Sequence, residues 1–427
     1  MGWWRRTGPG RSRSATLRRL AYTAAVVAVA TLVFSITGAG ARAPAVDAAP
    51  PAGSVATWCR NGHGPAELDR MFDGDPGGIV GADYPRTLAL PDGRVLWTFQ
   101  DPIVRDTAGA LHNLHNIGIV QDGACFDLLR SGTSAAPAPW LLATQTIPER
   151  AWFWPLDMTL SADGTTVHVF LAQMFEDDDG TYLNRATPNS VVVVDVDATT
   201  LGVRGGPSTP PWGGLASDPT LFGWSVETAG NHTYLFGHCH RQFGFDPFFD
   251  DVFIHDTSCT KQIRLARVPR GGVFATPEYW TGTAWSRDRA AARSLLPTER
   301  VNVTQPTQFQ FVNGRWMATT KVDDWFGQWI VIDQANKVTG PWRQTERRFA
   351  GLQCDPDPPG DDGPVCTNYF SSFVDDPTRT TADPVVISLS HNLWSGEPSS
   401  LYRPTYEAID PPVATAALAD RCALDQC

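Results

Sequence analysis

The sequence shows almost no helical periodicity, and it contains no Cys-x-x-Cys motif. Only two short stretches, residues 287–296 and 413–422, have the apolar spacing of an amphipathic helix. The first absence excludes a helical bundle, and the second argues against a zinc or redox site built on paired cysteines. Short alternating runs between Gly, Pro and aromatic residues make up the rest, and this pattern indicates an all-β fold.

Acidic residues are missing from positions 1–43, which instead carry seven arginines, six of them before an uncharged apolar run over residues 20–36. Small residues with Ala-x-Ala spacing end this segment. The order predicts a secretory signal peptide over residues 1–43, followed by an Ala/Pro-rich linker at 44–56. Because the run approaches the ~18 residues that can span a bilayer, an uncleaved anchor is the alternative and the only expected membrane contact. We therefore expect a secreted or cell-surface protein.

Basic residues are too few to balance the acidic ones. The chain carries 34 Lys and Arg against 45 Asp and Glu, and loss of the signal arginines lowers its net charge from −11 to about −18. A surface of that sign repels phosphate backbones, which excludes nucleic acid as the expected partner. The length that remains fits two domains or one large repetitive β domain.

All eight cysteines lie after the signal segment, and an even number in an exported protein predicts four disulfides. Proximity in the sequence gives the pairs Cys59–Cys125, Cys239–Cys259, Cys354–Cys366 and Cys422–Cys427. A bond from Cys59 to Cys422 or Cys427, which would join the two ends of the domain, stays open as an alternative.

An internal repeat of two apolar strands around a turn rich in Gly, Asn and Asp organises the chain. The five copies are Thr87–Asp101, Met158–Gln173, Ser225–His238, Phe309–Asp324 and Ser371–Asn392. Antiparallel units at a steady period predict a five-bladed β-propeller with a central channel over residues 57–410, and a C-terminal tail at 411–427. We further expect residues 54–80 to supply a strand that closes the ring against the last blade.

In a propeller, the start of a blade's first strand and the end of its second strand meet at one rim of the channel. Acidic, aromatic and imidazole side chains recur at these ends, whereas the opposite rim is expected to hold only generic turn residues. The candidate catalytic residues are Asp83, Asp101, Asp323 and Asp324. The candidate substrate-binding residues are Trp154, Asp157, Gln173, Trp224, His238, Gln305, Trp325, Tyr369 and His391.

This combination of side chains suits a carbohydrate, because aromatic rings stack on the C–H faces of sugars and carboxylates bind their hydroxyls. Two carboxylates are also sufficient to cleave a glycosidic bond, one as acid and the other as base or nucleophile. Several acids around one narrow opening push their pKa values apart, so that one acid can stay protonated while another is ionised. The rim is therefore predicted to be a carbohydrate site.

Two local patterns resemble metal sites but favour other interpretations. The acidic residues 176–180 do not alternate as a calcium-binding loop requires, so we interpret them as a solvated turn. Within His238-Cys239-His240, neighbouring side chains of a strand face opposite sides, which argues against zinc. We predict no metal and no cofactor, with a structural calcium or sodium ion in the channel as the alternative.

The run GADYPRTLALPDGRVLWTFQD, Gly81–Asp101, resembles the opening blade of the DUF-type secreted propellers that include endo-D-arabinanases. Residues 150–160, 263–288 and 314–342 resemble later blades of the same family. The resemblance implies hydrolysis of furanosidic linkages in cell-wall D-arabinan. The insert Cys239–Cys259 and the segment Asn368–Ser372 depart from the family pattern, which puts the substrate and the activity in question.

The same resemblance assigns the central acidic pair to Asp83 and Asp101, and a further acid to Asp323 or Asp324. The leading hypothesis is a monomeric glycoside hydrolase that acts on an arabinofuranose-containing polysaccharide. A non-catalytic carbohydrate-binding propeller and a protein-interaction scaffold are the two alternatives.

Overall fold

The computed structural model describes the chain from Ser54 to Pro412 in twelve stretches. These are residues 54–60, 64–142, 151–175, 185–213, 220–239, 263–296, 308–322, 329–350, 354–355, 365–366, 368–391 and 402–412. Within these stretches, no helix has the length and apolarity needed to cross a membrane. The predicted signal segment and most of the predicted C-terminal tail lie outside the described residues.

The first blade is an antiparallel sheet with the spatial order β1-β6-β5-β3-β2, to which β4 adds by pairing with β3. Its strands are β1 (Ser54–Cys59), β2 (Ile79–Ala89), β3 (Val95–Arg105), β4 (Leu111–Asn113), β5 (Asn116–Asp122) and β6 (Cys125–Leu129). The innermost strand, β2, is buried on both faces along most of its length. A short helix, α1 (Pro65–Leu68), and a 3-10 turn, Pro76–Gly78, connect β1 to β2.

Four more blades follow among the described residues, each with its first strand innermost. After the small hairpin of β7 (Ser131–Gly132) and β8 (Pro137–Ala138), blade two contains β9 (Ala151–Leu160), β10 (Thr166–Phe175), β11 (Arg185–Asp197) and β12 (Val203–Ser208). Blade three contains β13 (Thr220–Ala229), β14 (His232–Cys239), β15 (Ile263–Pro269), β16 (Glu278–Trp280) and β17 (Trp285–Ser286), and a 3-10 turn, Arg289–Ala291, follows it.

Blade four contains β18 (Gln308–Val312), β19 (Arg315–Val322), β20 (Trp329–Ala335) and β21 (Arg343–Phe349). A two-stranded pair, β22 (Cys354–Asp355) and β23 (Val365–Cys366), precedes blade five, whose strands are β24 (Asn368–Val374), β25 (Val385–His391) and β26 (Thr405–Ile409).

The hairpins turn where the repeat in the sequence predicts. Asn313 and Gly314 have φ angles of 51° and 79°, and the residues on either side of them are paired in register. Two consecutive positive φ angles are what a two-residue hairpin needs, and Asn and Gly tolerate them best. Gly93 closes the first hairpin at φ 92°, with its N–H 3.0 Å from the Leu90 carbonyl oxygen. Local sequence thus fixes where the inner strands reverse.

The innermost strands form a closed ring around a channel. Strands β2, β9, β13, β18 and β24 contact one another in that order, and β24 contacts β2. The predicted five-bladed propeller is confirmed. Its apolar core lies between adjacent blades, as in the stacked pair Phe236 and Phe309, whose ring centroids are 3.8 Å apart across blades three and four.

Ring closure does not use the strand that we expected from residues 54–80. Strand β1 pairs with β6 at the outer edge of blade one. Contacts between the start of blade one and the last blade close the ring instead: the Ala82 N–H donates to the Tyr402 carbonyl oxygen at 3.0 Å, and Asp69 Oδ1 accepts from the Tyr406 N–H at 2.7 Å. The prediction was wrong because the free edge of β6 offers β1 a partner within its own blade.

One predicted disulfide, Cys59–Cys125, is confirmed, and it joins β1 to β6 with an S–S distance of 2.03 Å. Cys354 lies opposite Cys366 in the backbone register of β22 and β23, but the side chains of this pair are not described. The pairs Cys239–Cys259, Cys354–Cys366 and Cys422–Cys427 stay predictions, since side chains on which they depend lie outside the described part of the chain.

Candidate active site at one mouth of the channel

Asp83 lies near the start of β2 and is only 6% exposed. Its Oδ2 accepts a hydrogen bond from the hydroxyl of Tyr369 on β24, so the first and last blades meet at this carboxyl. Burial, together with the charge of Asp101, raises the pKa of Asp83 well above 3.8, and the Tyr402 hydroxyl opposes this shift only in part. Asp83 therefore keeps its proton to a higher pH than an ordinary aspartate does.

Asp101 lies on β3, next to Gln100, which pairs with Asp83 in the β2–β3 register. Its Oδ1 accepts two hydrogen bonds, from His115 Nδ1 at 2.8 Å and from Trp154 Nε1 at 2.9 Å. The Asp101 side chain is 23% exposed, whereas Asp83 is buried. Two N–H donors on one oxygen suit a carboxylate. The hairpin thus brings together two acids in contrasting surroundings.

Aromatic side chains from three blades pack beside these acids. The Tyr84 ring lies edge-on to Trp224, with centroids 6.1 Å apart, and to Phe370, with centroids 4.6 Å apart. His238 lies 6.1 Å from the Trp224 ring, and Tyr369 lies 4.7 Å from the Phe370 ring. The structure thus brings Trp224 and His238 of blade three close to Tyr369 of blade five, and it places Trp154 on Asp101.

Other candidate residues lie apart from these contacts or outside the described residues. His391 is buried at the end of β25, with Nε2 2.8 Å from Thr405 Oγ1. Gln173 is half-buried on β10, opposite Phe153. The candidates that lie outside the described residues are Gln305, Asp323, Asp324 and Trp325.

Asp157 lines a cavity of about 240 Å³ near the hairpin-turn end of the channel, together with Glu227 and Asp375. Its Oδ2 accepts from the Val226 N–H at 2.7 Å, which bridges blades two and three. Burial raises the pKa of Asp157 to about 7 and that of Asp375 to about 6. Burial and the charge of Asp375 raise the pKa of Glu227 as well.

The expectation that this opposite rim holds only generic turn residues is therefore wrong. Asp375, just after β24, accepts from the Ala89 N–H at 3.1 Å and from the Gln310 side-chain amide, and so joins blade five to blades one and four. It follows a strand, as a turn residue does, but ring closure packs it against two neighbouring blades. No group of three His, Cys, Asp or Glu side chains suited to a metal ion occurs among the described residues.

A family model for a domain of unknown function, DUF5005, matches residues 67–402, a range that includes strands of all five blades. The chain belongs to the DUF5005 family. This membership confirms the expected DUF-type propeller. No curated protein matches the DUF5005 chain.

One solved structure shows the same fold at low sequence identity, and two others have lower similarity scores. A Bacteroides ovatus protein, whose description as a hydrolase is provisional, superposes with a TM-score of 0.54 at 14% identity, covering 78% of the DUF5005 chain and 86% of its own. A Xanthomonas citri GH43_1 enzyme gives 0.44 at 13% identity, with coverages of 79% and 90%. The catalytic domain of a Coprinopsis cinerea GH62 α-L-arabinofuranosidase gives 0.40 at 11% identity, with coverages of 84% and 96%.

Two residues at this mouth of the DUF5005 propeller escaped the sequence analysis. His115 reaches Asp101 from the connection between β4 and β5, and no repeat or motif marks that connection. Tyr402 donates its hydroxyl to the Asp101 carbonyl oxygen at 3.1 Å from the far end of the chain. Neither lies at the start of a blade's first strand or at the end of its second strand, where the repeat predicts site residues.

Proposed function

We propose that this DUF5005 protein is a secreted, monomeric glycoside hydrolase that cleaves an arabinofuranose-containing cell-wall polysaccharide. The observation that carries the proposal is the contrast between two neighbouring acids. Asp83 is buried and its pKa is raised, whereas Asp101 is partly exposed and accepts two N–H donors. Acids whose surroundings separate their protonation states are the basis of glycosidase catalysis.

In the proposed reaction, the Asp83 carboxyl donates its proton to the glycosidic oxygen as the bond from that oxygen to the anomeric carbon breaks. The Asp101 carboxylate either attacks the anomeric carbon itself or removes a proton from the water that attacks it. In the first variant, the Asp83 carboxylate then takes a proton from the water that breaks the bond between the sugar and Asp101; in the second, the proton that Asp101 has taken returns to Asp83 by exchange with solvent. In both variants one water is consumed and one hydroxyl is formed on each product.

Aromatic rings beside the acids support a sugar as the substrate. Trp154 is half-buried and its indole N–H binds Asp101, so its ring borders the reacting groups. The arabinofuranose specificity rests on the resemblance of Gly81–Asp101 to the endo-D-arabinanase propellers. Secretion rests on the basic, apolar and small-residue order of residues 1–43.

The experiment is release of reducing ends from arabinogalactan by purified protein that lacks residues 1–43. Asp83→Asn and Asp101→Asn are each expected to lower the rate by at least about 10³-fold, because each removes one of the two reacting carboxyl groups. Asp92→Asn is the matched control, since Asp92 lies in the first hairpin turn and pairs with Arg94. Full activity in either active-site variant would refute the assignment.

The same preparation tests a second function, a non-catalytic carbohydrate-binding propeller, which the partly buried rings of Trp152 and Trp154 also favour. Glycan binding that survives both Asn substitutions without product would establish it. The reaction as proposed needs no cofactor, and the structural calcium or sodium ion stays a prediction that elemental analysis of the purified protein checks.

A further inference from the structure

His115 and Asp101 form a side-chain pair at the mouth of the channel, although 14 positions separate them in the chain. His115 immediately precedes β5, and Asp101 lies on the neighbouring strand β3. The Asp101 N–H also donates to the His115 carbonyl oxygen at 3.3 Å, so the two residues are joined through backbone and side chain.

Both residues have left-handed backbone conformations, with φ angles of 40° for Asp101 and 61° for His115. Non-glycine residues rarely adopt such angles, and the surrounding structure must hold them there. The N–H of His115 donates to Asn113 Oδ1 at 3.0 Å, which fixes the turn that aims the imidazole at the carboxylate. Two strained residues that face each other at a candidate active site indicate that their mutual orientation has a function.

The imidazole of His115 has a fixed orientation. It stacks on Trp152, with ring centroids 4.4 Å apart and planes 17° from parallel, and Trp152 in turn lies edge-on to Trp154. Because His115 and Trp154 both bind Oδ1 of Asp101, that oxygen is saturated. No described residue donates a hydrogen bond to Oδ2, so Oδ2 is the oxygen left for the substrate.

We propose that His115 is a positioning residue for Asp101, holding Oδ1 so that Oδ2 performs the attack on the sugar or the activation of water. This inference rests on the proposed hydrolase function and extends it to a residue that never touches the sugar. The positioning role requires the N–H of His115 Nδ1, and any side chain that places a hydrogen-bond donor at the same point replaces His115 in part.

The test compares His115→Gly with His115→Asn. Glycine adopts φ 61° without strain but has no donor, whereas asparagine tolerates the same φ and places an amide N–H near the position of Nδ1. His112→Ala is the matched control, because His112, on the adjacent strand β4, forms a similar pair with Asp106, with Nε2 and Oδ2 2.9 Å apart. Thermal unfolding of all variants checks that each is folded.

We expect His115→Gly to lower kcat about 10- to 100-fold with KM changed less than about threefold, and His115→Asn to keep kcat within about fivefold of wild type. A second measurement is independent of turnover: the indole N–H signal of Trp154 in ¹⁵N-tryptophan-labelled protein, identified by its loss in Trp154→Phe. This signal is expected to move in His115→Gly and much less in His115→Asn or His112→Ala.

Equal losses in the Gly and Asn variants, or a wild-type kcat and an unmoved indole signal in His115→Gly, overturn the positioning role. If wild-type protein hydrolyses no glycan, the hydrolase proposal fails. Movement of the Trp154 indole signal in His115→Gly, but not in His115→Asn, then still supports the positioning of Asp101 by His115. If hydrolysis occurs but His115→Gly matches wild type in both readouts, the function stands and this inference fails.

Discussion

The Tyr369 hydroxyl donates a hydrogen bond to the Asp83 carboxyl, although 286 positions separate the two residues in the chain. Tyr369 lies on the inner strand of the last blade and Asp83 on the inner strand of the first. The bond therefore exists only when the ring is closed, and it couples the candidate active site to the integrity of the propeller.

Tyr369→Phe is expected to lower the free energy of unfolding by about 1–3 kcal/mol, because it leaves a buried oxygen of Asp83 without its donor. Urea denaturation followed by tryptophan fluorescence measures the change. Tyr234→Phe is the control, since Tyr234 is half-buried and its hydroxyl has no hydrogen-bond partner within the described stretches, and it should change stability by less than about 0.5 kcal/mol. Equal effects in both variants would contradict a specific role for the bond to Asp83.

Asp101→Asn is expected to lower the pKa of Asp83. The charge of Asp101 adds to burial in raising that pKa, so its removal leaves burial as the main cause and the pKa still above 3.8. Carboxyl-carbon NMR titration of wild type and the variant measures the difference, and Asp83→Asn identifies the signal. An unchanged or higher Asp83 pKa in the variant would show that the two acids do not interact.

The acids of the cavity make the stability of the propeller depend on pH. The folded-state pKa of Asp157, about 7, lies above its unfolded value near 3.8, so the folded state binds more protons between these pH values. The contribution of Asp157 is thus fully present below about pH 4 and is lost as pH rises through 7. Asp375, with a pKa of about 6, acts in the same direction over a narrower range.

From pH 5 to pH 8, the unfolding free energy of wild type is therefore expected to fall by about 2–3 kcal/mol relative to that of Asp157→Asn. Denaturant unfolding at both pH values tests this difference. Asp163→Asn is the control: its pKa is lowered to about 2, so Asp163 is ionised in both the folded and unfolded states across this range and its loss gives no pH-dependent gain. If the unfolding free energies of wild type and Asp157→Asn change in parallel with pH, the folded-state pKa of Asp157 is not raised and the prediction is wrong.

The Cys59–Cys125 bond is expected to stabilise the propeller by about 4 kcal/mol, because it closes a loop of 66 residues in the unfolded chain. The double variant Cys59→Ser/Cys125→Ser should lose this amount in denaturant unfolding, and its β1 edge should be cleaved faster by protease. Peptide mapping without reduction identifies the bond directly, and a peptide that joins Cys59 to any other cysteine would contradict it.

The sequence predicted the hairpins because their turns depend on neighbouring residues alone, as Asn313-Gly314 illustrates. It also placed Asp83 and Asp101 close together, because both belong to one hairpin. Asp157 was harder to place: a bulge in the pairing of β9 with β10 falls beside it, and one extra residue changes which way the following side chains point. Glu227 and Asp375 gave no sequence signal, since only the packing of separate blades brings them to one cavity.

The amino-acid sequence by itself determined the all-β class, the five repeated units and the proximity of the two acids within the first hairpin, because strand alternation and turn chemistry act over a few residues. The tertiary structure decided which distant side chains surround those acids and which acids are buried in the channel. Closing the ring places Tyr369 on Asp83 and withdraws Asp157 from water. Such contacts, and the pKa shifts that follow from them, depend on the packing of whole blades.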